Sequence, residues 1–139
     1  MSTRSEIAIE KKDGSINSIY CHSDGYIENN GYLLNKHYKS YDLALSIIKE
    51  NDCSVLGSSI KESRFYNTWR NEETELKKFR NEKNFMLSFN NDIFAEYIYL
   101  FKNDKWYVSE LKIIDNPKDN YSHCVSYHTK FILLDDVIN

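Results

Sequence analysis

Tyr20-Cys21-His22, followed by Asp24 and Tyr26, is the densest group of chemically capable side chains in the sequence. An imidazole oriented by a carboxylate is a working acid–base pair, and His22 and Asp24 share one face of an extended segment. Cys21 points to the other face of a regular strand, so it makes no nucleophile–base couple with its neighbour His22. Three readings of this group stay open: a catalytic pair, a hydrogen-bonded turn network and a ligand-binding edge.

Metal chemistry has a weaker footing. Cys21, His22, Cys124 and His128 form a tetrahedral set only if distant strands meet. Cys124 and His128 supply one half of a zinc motif, and closed zinc sites present two such halves. Buried free thiols are the simpler reading, and no metal or cofactor is expected. Gly14, Gly25, Gly31 and Gly57 build neither a Walker-type loop nor a GxGxxG turn. The four histidines, His22, His37, His123 and His128, contain no His-x-Ser or His-x-Thr pair, no His-x-His-x-Asp array and no His-Glu-x-x-His. The motifs of an enzyme are therefore missing, and binding without turnover is the expectation.

Binding needs less: rings to stack on, cations or N–H groups for an anion, and hydrogen bonds to the rest. Arg4, Tyr20, His22, Asp24 and Tyr26 offer one such set. Tyr97, Tyr99, Trp106 and Tyr107 offer another, with Phe101 on the face of Tyr97 and Tyr99. Stacking on a ring contributes about 1–3 kcal/mol per base. The same row also fits a core or a subunit seam, where each buried phenol needs a hydrogen-bond partner. Left in water, it is too apolar for a monomer, so a homo-oligomer is expected.

Strands and turns must hold these groups. Residues 4–11 alternate in period two, Asp13-Gly14 supplies a turn, and 16–22 returns as a second strand ended by Asp24-Gly25. Leu33, Leu34, His37 and Tyr38 fall at helical spacing. Ser40 caps a further helix with an apolar stripe of Leu43, Ala44, Ile47 and Ile48. Val55-Leu56-Gly57 is a short apolar patch ending in a turn. Residues 61–84 turn polar and charged, with a weak helical pattern through Leu76 and Phe79, and read as an insertion. Arg64 and Arg70 there interleave with Phe65, Tyr66 and Trp69, a mix able to border an anionic ligand. Residues 94–101 are apolar on both faces, 102–105 turn, and 106–113 return. Pro117, Asp119 and Asn120 mark a loop, and 122–134 offer one more strand or a terminal helix.

The chain's 139 residues make one domain, 1–139. The expected fold is α+β: an antiparallel sheet built from two hairpins, helices packed on one face, and the insertion at 61–84. A net charge of −3 gives no basic footprint for a nucleic-acid polymer. No apolar run is long enough to cross a bilayer, which leads to a soluble, cytoplasmic expectation.

The stretch Ser2-Thr3-Arg4-Ser5-x-Ile7, then Asp13-Gly14-x-Ile16-x-Ser18-Ile19-Tyr20-Cys21-His22-x-Asp24-Gly25-Tyr26-x-Glu28, resembles a widespread family of small tailed-phage and prophage proteins. Its members read close to STRSxIxxExxDGxxxSIYCHWDGYPExxG. Leu34, His37-Tyr38, Leu56-Gly57 and the segment from Tyr99 to Ser109 continue the likeness, over about residues 2–60 and 94–110. Ser23 stands where that family has Trp, and Ile27 where it has Pro. In size and layout the chain also resembles the family of Thoeris anti-defence protein 1. That resemblance implies an oligomeric phage sponge in the cytoplasm of an infected bacterium, binding a cyclic ADP-ribose signal, or a cyclic oligonucleotide, without cleaving it. The competing class is an anti-CRISPR-like inhibitor that binds a host defence protein through a flat surface.

Overall fold

The computed structural model describes residues 3–70, 74, 76–90, 92–114 and 125–138. The period-two segments form β1 (Ser5–Glu10) and β2 (Ile16–Cys21), antiparallel in register from Ser5↔Cys21 to Glu10↔Ile16. Their turn closes through the Gly14 N–H on the Lys11 carbonyl at 2.9 Å, with Gly14 at φ 87°. The second hairpin is β6 (Tyr97–Lys102) and β7 (Lys105–Ile114), antiparallel with Tyr97↔Glu110 and Phe101↔Trp106. Asn103 and Asp104 both take positive φ, the backbone a two-residue hairpin turn requires.

A parallel β1–β6 pairing, Ile7↔Tyr99 among others, joins the hairpins side by side. The remaining strands are β3 (Cys53–Val55), β4 (Arg64–Phe65), β5 (Lys77–Phe79), β8 (Val125–His128) and β9 (Ile132–Leu133). The order along the sheet is β4-β3-β2-β1-β6-β7-β8, with β5 on β2 and β9 on β7. The helices are a π-helical turn Ile27–Gly31 running into α1 (Tyr32–His37), then α2 (Tyr41–Ile48), α3 (Tyr66–Trp69), α4 (Glu82–Leu87) and α5 (Leu134–Val137). The fold is α+β, with a large, mostly antiparallel sheet.

Strand alternation divides the core in two. Ile7, Ile9, Ile19, Tyr99, Phe101, Trp106 and Val108 meet Leu34, Ala44, Ile47, Ile48 and Leu134 from α1, α2 and α5. This is the helical face expected from the sequence. Ser40 starts α2 as foreseen, its Oγ accepting the Leu43 N–H at 3.2 Å. Leu43 itself is 47% exposed, so the buried stripe is Ala44, Ile47 and Ile48.

The opposite face is covered as well. Ala8, Ile16, Ile98 and Leu100 pack under Phe85 of α4 and Phe89, whose rings meet edge to face at 5.1 Å. Each such large side chain contributes about 1.5–3 kcal/mol by leaving water. Residues 61–84 are thus no appendage. Phe65 of β4 lies in the main core, and β5 is a strand, not a helix, pairing Ile16↔Phe79 and Ser18↔Lys77. Lys77 reaches Glu6 at 2.5 Å beneath that pairing. The 117–120 loop, His123 and Cys124 lie outside the described residues. Past them, 125–134 holds β8, β9 and the start of α5.

Candidate functional site

Arg4, Tyr20 and His22 fall on the opposite face, at the end where β1 begins and β2 finishes. Arg4 is held from both ends of its residue. Its N–H donates to Glu96 Oε2 at 2.9 Å and its carbonyl accepts the Glu96 N–H at 3.0 Å. Its Nε donates to the Phe94 carbonyl at 2.9 Å, which sets the guanidinium 4.9 Å from the exposed Phe94 ring. Tyr20 and His22, two apart on one strand, share a hydrogen bond of 2.7 Å between the phenol oxygen and Nδ1. Burial pushes the Tyr20 phenol up to about 12, with the Arg4 charge pulling back and the nearby Tyr66 phenol adding to the rise.

Asp52 ties this strand end to α3. Its Oδ1 accepts the Tyr20 N–H at 2.9 Å and its carbonyl accepts the Tyr66 N–H at 3.1 Å. Tyr66 and Trp69 then present their rings beside the strand, 6.5 Å apart. The Arg64 and Arg70 guanidinium groups lie 5.3 and 4.5 Å from the Trp69 ring centre, and Arg70 also lies 5.9 Å from that of Tyr66. Trp69 remains 44% exposed. A guanidinium beside an exposed ring sets a cationic fork, of the kind that takes a carboxylate or phosphate, next to an aromatic surface. Composition pointed to Arg64, Tyr66, Trp69 and Arg70. The contributions of Asp52 and Phe94 depend on tertiary contacts and had no signal in the sequence.

The remaining expected residues do not join this surface. Asp24 takes φ 56°, which breaks the period-two alternation, and the His22 ring is held by Tyr20 instead. The turn carries Gly25 against Ser5 and Thr3, with the Gly25 N–H on the Thr3 carbonyl at 2.8 Å. Tyr99 is fully buried and donates to the Gly25 carbonyl at 2.6 Å, while Trp106 is 1% exposed and donates Nε1–H to the Tyr38 carbonyl at 2.9 Å. Both are core groups with their polar atoms already used. The aromatic row is covered by helices, which removes the ground on which a homo-oligomer was expected. Tyr107 lies on the opposite face near the 102–105 turn, with the Lys102 ammonium 5.1 Å from its ring.

Tyr26 and Tyr97 line a cleft of about 330 Å³ on the helical side of the sheet, with Glu96, Glu110 and Lys112. The Tyr97 ring stacks on Tyr99 at 6.3 Å and 15°. Burial, and then the charges of Glu110, Glu28 and Glu96, push the Tyr97 phenol up. The nine expected residues are therefore dispersed: three at the arginine-rich surface, two in an acidic cleft, one on a turn, two in the core and one near the far hairpin.

Cys21 and Cys53 are free, buried neighbours in register on β2 and β3, on the side away from His22. Their mutual hydrogen bond pulls the Cys21 thiol down and, with burial, pushes Cys53 up. Asn30 Nδ2 donates to Cys21 Sγ at 3.4 Å. His128 Nε2 bonds the Ala95 carbonyl at 2.8 Å with its ring against Phe89. Among the described residues no cluster could hold a metal ion, and no helix is long and apolar enough to cross a membrane.

No family model matches the chain, nor does any curated protein or solved structure.

Proposed function

We propose that the chain binds an anionic nucleotide on the surface formed by Arg4, Tyr20, His22, Tyr66, Trp69 and Arg64, and holds it without breaking its bonds. The observation that carries this reading is that Asp52 ties the strand end bearing Tyr20 to α3, whose Trp69 ring stacks with the Arg64 and Arg70 guanidinium groups. Arginines bind the phosphates, half-exposed rings take the base, and the Tyr20–His22 pair offers hydrogen bonds to ribose. The His22 ring is bonded to a phenol, which orients it as a hydrogen-bonding group. With the sequence resemblance, this supports a phage counter-defence protein that sequesters a cyclic nucleotide signal of the cyclic ADP-ribose type. The test is mass spectrometry of small molecules released by heat after incubation with lysate of phage-infected, defence-positive cells. An intact cyclic nucleotide is expected, and its loss in Arg4→Ala. A linear product whose formation His22→Ala abolishes overturns the reading.

One observation favours the second class, a protein-binding inhibitor. An exposed tryptophan flanked by two arginines has the composition of an interface hot spot. Capture of one host protein by the full chain, lost in Trp69→Ala and insensitive to added nucleotide, supports that class over the first.

A further inference from the structure

We propose that the cleft of about 330 Å³ between Tyr26 and Tyr97 is a separate site for a small organic cation, an alkylammonium or guanidinium compound. The inference does not depend on the nucleotide reading. Register places Glu110 directly across from Tyr97, so a carboxylate stands beside a ring whose plane is already fixed by stacking on Tyr99. Tyr26 brings a second, partly exposed ring. Glu96 closes the cleft, with Oε2 engaged by the Arg4 N–H. A π-face with carboxylates at its edge attracts a weakly hydrated cation, and the same carboxylates repel a phosphate.

The protein already keeps one cation there. Lys112 Nζ lies 3.6 Å from Glu110 Oε2, with both side chains partly in water. Such a pair is weak and readily displaced. A ligand cation takes the place of Lys112 beside Glu110 and adds contact with the rings.

The probes are tetramethylammonium and agmatine, titrated into the full chain at constant ionic strength and followed by backbone amide NMR. Saturable shifts at Tyr97, Glu110 and Lys112 are expected, with none from sodium chloride. Glu110→Gln and Tyr26→Leu weaken binding about tenfold, and Lys112→Gln tightens it. Lys112 is exposed, so that variant keeps the test decisive if another fails to fold. Absence of saturation, an equal response to sodium, or weaker binding in Lys112→Gln overturns the proposal.

Discussion

Replacing Lys77 by Met keeps most of the side-chain stem and removes only the charge that faces Glu6. Glu6 is almost entirely buried on the opposite face of the sheet, where Oε1 meets Lys77 at 2.5 Å and Oε2 accepts Ser18 Oγ–H at 2.6 Å. Stripping the partner from a buried ion costs about 3–5 kcal/mol when both groups are dry. Here the Lys77 side chain is 41% exposed and Glu6 7%, so solvent screens part of the pair, and the expected loss is about 2 kcal/mol at neutral pH. That lowers Tm by about 7 °C for a chain of this size.

The pH dependence identifies the cause. Burial raises the Glu6 carboxyl above its ordinary 4.5, against the pull of Lys77 and Ser18. Removing Lys77 raises it further. A raised carboxyl contributes its stability below the unfolded value and loses it as pH rises through the folded one. The variant and the parent therefore lose stability in parallel just above pH 4.5, and they separate only as pH passes the raised value of Glu6 in the parent. Urea unfolding across this range is the assay. An equal deficit at acid and neutral pH, or none at either, refutes the argument.

Gly25→Ala places a Cβ 2.7 Å from Ser5 Cβ and 2.9 Å from the Thr3 carbonyl, so the turn must shift; calorimetry is expected to show a clearly lowered Tm. Ultraviolet titration of the phenols is expected to leave Tyr20 protonated to about pH 12, with a Tyr20→Phe difference spectrum to assign it. Its raised phenol adds stability below pH 10 that falls away between pH 10 and about 12. Replacing residues 61–84 by a Gly-Ser loop removes β4, α3 and β5 and unpairs Glu6, so loss of cooperative unfolding by circular dichroism is the expected outcome.

Both hairpins were legible because each rests on local rules: alternation in the strands, and Asp13-Gly14 or Asn103-Asp104 at the turns. The Ser40 cap was legible for the same reason. The parallel β1–β6 pairing was not, since it joins residues some ninety positions apart and leaves no periodic trace. That pairing decides which aromatics are core. It places Tyr99 between Ile7 and Val108 under the helices, where a strand read alone shows only a candidate stacking row. The charged stretch 61–84 misled because its buried members, Phe65 and the Lys77–Glu6 contact, are sparse among exposed ones. At the site, Arg4, Tyr20 and His22 could be chosen from residue type. Their junction with Tyr66 and Trp69 is made by the β2–β3–β4 pairing together with Asp52, contacts that appear only in three dimensions.

Trp69 is exposed and Trp106 is buried, so ligand-dependent fluorescence reports on the proposed surface alone. The most direct measurement is a titration of the protein with cyclic ADP-ribose, followed by mass spectrometry of the recovered ligand. A saturable change in tryptophan emission is predicted, abolished in Trp69→Phe, weakened in Arg4→Ala, and accompanied by recovery of the intact cyclic compound. An unchanged emission at saturating ligand, a response that survives in Trp69→Phe, or a linearised product contradicts the account.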